Sequence, residues 1–251
     1  MRSGGIFSTN DDMKTELQYS TNVHSERSTP PDAKPVLPAV ASTVVYLEDC
    51  VQALKRFDDN YFDVAIVDPP YGIDIANMNM GAGKGKKCSK IQNRKWEPKD
   101  WDSGIPDKEY FEQLFRVSKN QIVWGGNYFI DYLPPSQYFA VWDKGEGLYG
   151  RSFAECEFAW VRSGGTRIRK INPVQKERIH PTQKPIELYD WLIDVYCADA
   201  NLILDTHVGS GSSRIAAAKA GKQFIGFEID HEYYEKQEKR FNDWNSQLRM
   251  F

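Results

Sequence analysis

Four consecutive residues, Asp68-Pro69-Pro70-Tyr71, directly follow the apolar run Val64-Ala65-Ile66-Val67. Two prolines restrict the backbone, bar continuation into a helix and leave carbonyl groups rigidly held. The Asp68 carboxylate and the Pro69 carbonyl therefore form a pair of acceptors that can bind both hydrogens of an amine. The exocyclic amine of adenine or cytosine needs such a pair, because its lone pair is delocalised into the ring and must be drawn out before it can attack. Positioning and preorganised dipoles then supply most of the rate. Tyr71 offers a ring on which the base can stack after leaving a duplex, at a cost of roughly a few kcal/mol. The purely structural reading of these four residues is a rigid loop after a buried strand.

A second constellation, Leu204-Asp205-Thr206-His207-Val208-Gly209-Ser210-Gly211-Ser212-Ser213, runs from an apolar strand through a glycine turn into a helix. Backbone N–H groups and a helix N-terminus meet there, which suits a nucleotide-like cofactor. About 20 residues on, Glu228 ends the next strand, where a carboxylate can accept from both hydroxyls of a ribose. Turn and acid do not by themselves separate a nicotinamide cofactor from S-adenosylmethionine. A dehydrogenase, however, leaves Asp68 to Tyr71 without a task, so methyl transfer to a base amine is the better reading.

The net charge of -3 excludes a uniformly basic coat, yet two cationic runs stand out. Lys84, Lys86, Lys87, Lys90, Arg94 and Lys95 form one without an acid; Arg162, Arg167, Arg169, Lys170, Lys176 and Arg178 form another interrupted only by Glu177. Solvated loops explain most single runs, but two of them around an acceptor motif suit a polyanion. Composition is 41% hydrophobic and 27% charged, with no run of about 18 apolar residues to span a bilayer. Nothing at the N-terminus reads as a secretion signal, so a cytoplasmic location is expected. Cys50, Cys88, Cys156 and Cys197 show no paired spacing, so no metal site is expected.

These residues need a scaffold. Residues 1–40, with Pro30, Pro31, Pro35 and Pro38 and no apolar periodicity, read as a disordered arm before a single domain over 41–251. Strands are expected at 44–47, 64–67, 121–124, 138–142, 157–161, 202–204 and 223–227. Helices are expected at 50–57, 108–117, 185–196, 210–220 and 231–248. The 138–142 and 157–161 strands can pair antiparallel. Strands alternating with helices give an α/β class, Rossmann-like, with a mainly parallel seven-stranded sheet, one antiparallel hairpin strand and helices on both faces.

The chain resembles the DNA amino-methyltransferases, specifically the permuted group in which the catalytic motif precedes the cofactor motif. The resemblance runs from about Val44 to the C-terminal helix and includes His180-Pro181-Thr182-Gln183-Lys184-Pro185. It implies the S-adenosylmethionine-dependent methyltransferase fold, circularly permuted, and no metal. Asp68, Pro69, Pro70 and Tyr71 would be catalytic. Asp49, Cys50, Asp68, Lys184, Asp205, His207, Gly209, Ser210, Gly211, Ser212 and Glu228 would line the cofactor, Lys184 approaching its methionine part and Asp49 with Cys50 its adenine. Asp68 favours adenine over cytosine, since cytosine enzymes often carry Ser there. The order of motifs speaks against a protein-glutamine methyltransferase, and a silent DNA-binding scaffold remains the rival from another class. Double-stranded DNA is the implied partner, with a homodimer and a cognate restriction nuclease left open.

Two departures carry expectations. Family members usually have Pro-Phe where Thr206-His207 stands, so a histidine would make cofactor binding weaker at about pH 6 than at 8. Only about 35 residues separate Lys144 from Ile179, too few for a separate recognition domain. Insertions at about 76–103 and 144–179 would then contact DNA through the six cations of the first run and Arg162, Arg167, Arg169, Lys170 and Arg178.

Overall fold

In a computed structural model the described residues are 42–75, 96, 99–150 and 154–248. The expected N-terminal arm lies outside them, as does most of the 76–103 insertion with Lys84, Lys86, Lys87, Lys90, Arg94 and Lys95.

The chain opens with β1 (Thr43–Leu47), α1 (Cys50–Leu54) and β2 (Phe62–Val67). It continues through α2 (Lys108–Val117), β3 (Ser118–Trp124), β4 (Tyr138–Asp143), β5 (Cys156–Val161) and β6 (Arg167–Lys170). α3 (Ile186–Tyr196), β7 (Leu202–Asp205), α4 (Ser212–Lys219), β8 (Gln223–Glu228) and α5 (His231–Leu248) complete it. The strands form one sheet in the order β1-β8-β7-β2-β3-β5-β4-β6. Every neighbouring pair is parallel except those of β5, which runs antiparallel to both β3 and β4.

Strict alternation sorts the central strands onto two faces. Val64 and Ile66 of β2 join Leu188, Leu192 and Ala216 of α3 and α4 in one core, while Ala65 and Val67 join Leu54, Phe111 and Leu114 of α1 and α2 in the other. Each fully buried leucine here stabilises the fold by about 1.5–3 kcal/mol.

The sheet has one strand more than the seven expected. β6 pairs in parallel along β4, Ala140 opposite Arg167 to Asp143 opposite Lys170, and all four of its residues are exposed. Its stability comes from the backbone ladder, so Arg-Ile-Arg-Lys carries no burial pattern, and sequence reading took it for a loop. α1 also ends earlier than expected, at Leu54.

Chain connections leave β7 toward β8 on one side and β2 toward β3 on the other. The boundary between β7 and β2 is therefore the point where strand order reverses, the place where open α/β sheets bind ligands outside the carboxyl ends of their strands. Val64 opposes Ile203 and Ala65 opposes Leu204, so Asp68 and the Asp205 to Gly211 turn leave the same edge of neighbouring strands.

Candidate active site

The acceptor turn leaves β2 already braced. Oδ1 of Asp68 accepts from the Tyr71 hydroxyl at 2.6 Å, and Oδ2 from Nζ of Lys184 at 2.5 Å. A carboxylate offers about four lone-pair sites, so acceptor capacity remains for a ligand. Burial and the Asp68 charge push the Tyr71 phenol well above its ordinary range, which keeps it a neutral donor. Burial works against the charge of Lys184, but Asp68 and Glu157 outweigh it and raise the ammonium above its usual range.

Asp102, 1% exposed, organises the turn from behind. Its Oδ1 accepts from the backbone N–H of Tyr71 at 2.8 Å and of Gly72 at 2.9 Å, and its Oδ2 from that of Ile75 at 2.8 Å. The Tyr71 ring stacks on Tyr128 at 4.7 Å between centroids, 12° from parallel. Gly125 makes the approach feasible: its φ is +69°, and a Cβ would stand 2.3 Å from the Tyr71 ring.

On β7 the glycine turn is equally fixed. Gly209 and Gly211 have φ of 52° and 73°, in the left-handed region that glycine enters without strain. The Gly209 N–H donates to Oε2 of Glu228 at 2.8 Å, and the Asp230 N–H to Oε1 at 2.9 Å. Arg240 donates to the Ser210 carbonyl at 2.6 Å, and the Ser212 hydroxyl donates to the Lys184 carbonyl at 2.8 Å. Lys184 thus meets the glycine turn with its backbone and Asp68 with its ammonium, and so links the two turns.

Asp205 is braced from within its own turn. Its carboxylate accepts from the Ser213 hydroxyl at 2.5 Å and the His207 N–H at 3.0 Å, and burial pushes it up to about 7. Asp49 is exposed and caps α1, accepting from the Gln52 N–H at 2.9 Å. Cys50 follows it, with Sγ 4.0 Å from Nε2 of His207, and burial pushes its thiol to about 12.

His207 corrects an expectation. Its Nδ1 lies 2.9 Å from the Thr206 hydroxyl, and its ring meets Tyr110 edge-on at 5.4 Å. Desolvation lowers its pKa to about 4. It is neutral at both pH 6 and pH 8, so it cannot weaken cofactor binding between them; sequence alone gave the imidazole its solution value.

Arg167, Arg169 and Lys170 stand apart from the two turns, on the edge strand β6. β6 lies four strand positions from β2, roughly 19 Å at the usual strand spacing. Arg167 and Arg169 are exposed there, while Lys170 pairs with Glu146 at 2.8 Å. Arg162 is exposed with its guanidinium 3.3 Å from the Gln121 amide oxygen, and Arg178 donates to the Pro181 carbonyl, closing the loop before α3.

Sequence reading missed Asp102, Tyr128, Glu157 and Ile229. Gly125-Gly126 after β3 was the one available sign that another group approaches closely there. Ile229, 64% exposed beside Glu228, offers an apolar surface at the end of β8.

Fold and site define an α/β protein that sets the Asp68 to Tyr71 turn beside a glycine turn at the switch point of its sheet. A family model described as DNA methylase, covering N6 and N4 methyltransferases, matches residues 121–239. Type II methyltransferase M2.DpnII of Streptococcus pneumoniae is 25% identical over 237 residues, 78% of this chain and 88% of that protein. M2.LlaDCHI of Lactococcus lactis subsp. cremoris is 25% identical over 234 residues, 77% and 87% of the two chains. Among solved structures, the PvuII cytosine-N4-specific DNA methyltransferase superposes with a TM-score of 0.51 at 12% identity, covering 79% of this chain and 86% of that one. The M1.HpyAVI complex with SAM gives 0.50 at 19% identity, covering 79% and 100%. The structural likenesses concern the fold. The chain is thus similar to DNA methylases over residues 121–239 and to type II methyltransferases along more than three quarters of its length.

Proposed function

We propose that this chain methylates the 6-amino group of adenine in double-stranded DNA, using S-adenosylmethionine and a base turned out of the helix. The observation that carries this reading is the Asp68 carboxylate, held between Tyr71 and Lys184 beside the rigid Pro69 carbonyl, at the mouth shared with the glycine turn. Asp68 and Pro69 would each hold one hydrogen of the amine and direct its lone pair outward. Tyr71, backed by Tyr128, would stack on the base.

The residues of the second turn fit the cofactor. Glu228, 9% exposed, keeps lone pairs beyond its two backbone bonds for a ribose, Ile229 can cover an adenine ring, and the left-handed glycines admit close approach. When bound, S-adenosylmethionine supplies an electrophilic methyl group. Asp49, Cys50, His207, Ser210 and Ser212 would complete the walls of that pocket. Arg162, Arg167, Arg169 and Lys170 would contact phosphates, as would the cations of 84–95. A cognate nuclease and a homodimer are partners to be sought, and cytoplasmic DNA is the expected site of action.

Tritium transfer from labelled S-adenosylmethionine to duplex DNA, with the labelled base identified, tests the reading. N6-methyladenine is expected, and Asp68→Ala should lower the rate on the order of 10²–10³-fold. Label in N4-methylcytosine would move the assignment to the other base; unlabelled DNA would overturn it.

A further inference from the structure

A second carboxylate stands behind the acceptor turn, unused by the mechanism above. Glu157 lies on β5 opposite Trp142 of β4. Its Oε1 is 2.6 Å from Nζ of Lys144, and its Oε2 is 3.4 Å from Nζ of Lys184, whose other partner is Asp68. The Lys184 and Lys144 side chains are only 4% and 14% exposed, so water screens these charges weakly. Burial tends to raise the Glu157 carboxyl, but Lys184 and Lys144 outweigh it and hold it below the usual carboxylate range. Asp68, Lys184, Glu157 and Lys144 thus form a row of alternating sign whose charges sum to zero.

We propose that Glu157 is a positioning residue for methyl transfer, balancing the two lysines so that Asp68 remains a full acceptor for the base amine. This rests on the proposed function. In direct attack the N–C bond forms as the S–C bond breaks. The S–C electron pair leaves with S-adenosylhomocysteine, positive charge moves from sulfur onto the amine nitrogen beside Asp68, and the amine then releases one proton to solvent. Two lysines against one carboxylate would oppose that movement, whereas a neutral row does not. The effect falls on the transition state more than on bound substrates, so kcat is the sensitive quantity.

Steady-state tritium transfer by the full chain compares wild type, Glu157→Gln, Glu157→Asp and the Glu157→Gln/Lys144→Gln double variant. Glu157→Gln should lower kcat at least about tenfold, with KM for DNA within about threefold. The double variant restores the neutral sum and should regain most of the loss. Independent structural damage would instead accumulate. Glu157→Asp keeps the charge and should stay within about threefold of wild type in kcat, a check that stands even where Gln harms folding. A kcat for Glu157→Gln within about twofold of wild type, a double variant no faster than the single, or an Asp variant as slow as Gln overturns the assignment. Absence of transfer by the wild-type protein overturns the proposed function, and this inference with it, so the two failures are told apart.

Discussion

His207 occupies the place of an aromatic ring and, being neutral, behaves as one. Its pKa is lowered to about 4 by burial, and that of His180 to about 3. Unfolding returns both imidazoles to about 6.5, so below that pH the unfolded chain binds more protons. Their contribution to stability is complete above pH 6.5 and is lost as pH falls toward 4. Asp205, raised to about 7 by burial, works the other way: its contribution is complete below the ordinary carboxylate range and is lost as pH rises through 7. A His207→Phe variant should therefore show a shallower loss of unfolding free energy between pH 6.5 and 4, measured by urea denaturation. Its calorimetric affinity for S-adenosylmethionine from pH 6 to 8 should keep the wild-type shape, because the group of the turn that titrates there is Asp205. A wild-type affinity that falls on acidification only when His207 is present would contradict this.

The acceptor turn works because another segment braces it. Three backbone N–H groups of the turn converge on one buried carboxylate, that of Asp102, which arrives from beyond the 76–98 segment. Two further contacts pin the same limb: Trp101 packs on His180 at 5.1 Å, and Lys99 pairs with Asp230 at 2.8 Å beside the end of β8. Removing the Asp102 carboxylate leaves donors unpaired at roughly 1–3 kcal/mol each. Asp102→Ala should cost roughly 3 kcal/mol or more, lowering the thermal midpoint by about 6–12 °C, and should depress kcat as Tyr71 loses its seat. A midpoint within about 2 °C of wild type in scanning calorimetry would show that the clamp is dispensable. Glu232 shares Lys99 with Asp230, and its two lysine partners, Lys236 and Lys99, hold its carboxyl down to about 2, so this pin persists through the physiological range.

Across the whole molecule, the sheet brings one turn from early in the chain against another from late in it, and sets a basic edge strand at its far side. If β6 lies along a phosphate backbone, replacing Arg167 and Arg169 by Ala should weaken DNA binding alike for all sequences. It should also flatten the log affinity against log salt plot by about 0.9 per lost contact; an unchanged slope would move the DNA elsewhere. The placement of the two turns was largely legible in the residues. Val64 to Val67 and Leu202 to Leu204 announce buried strands, the prolines and glycines announce the turns at their ends, and reversed motif order requires β1 to lie beside β8, as Val44 opposite Ile225 confirms. The sequence by itself determined the helices, the paired turns and every strand but β6, because apolar periodicity and turn chemistry are local properties. Tertiary structure alone decided that Lys184 serves Asp68, that Asp102 clamps the turn and that Glu157 completes a neutral row. Charge pairing and burial between residues as far apart as 68 and 184 are set by packing, and packing also moved His207 out of the neutral pH range.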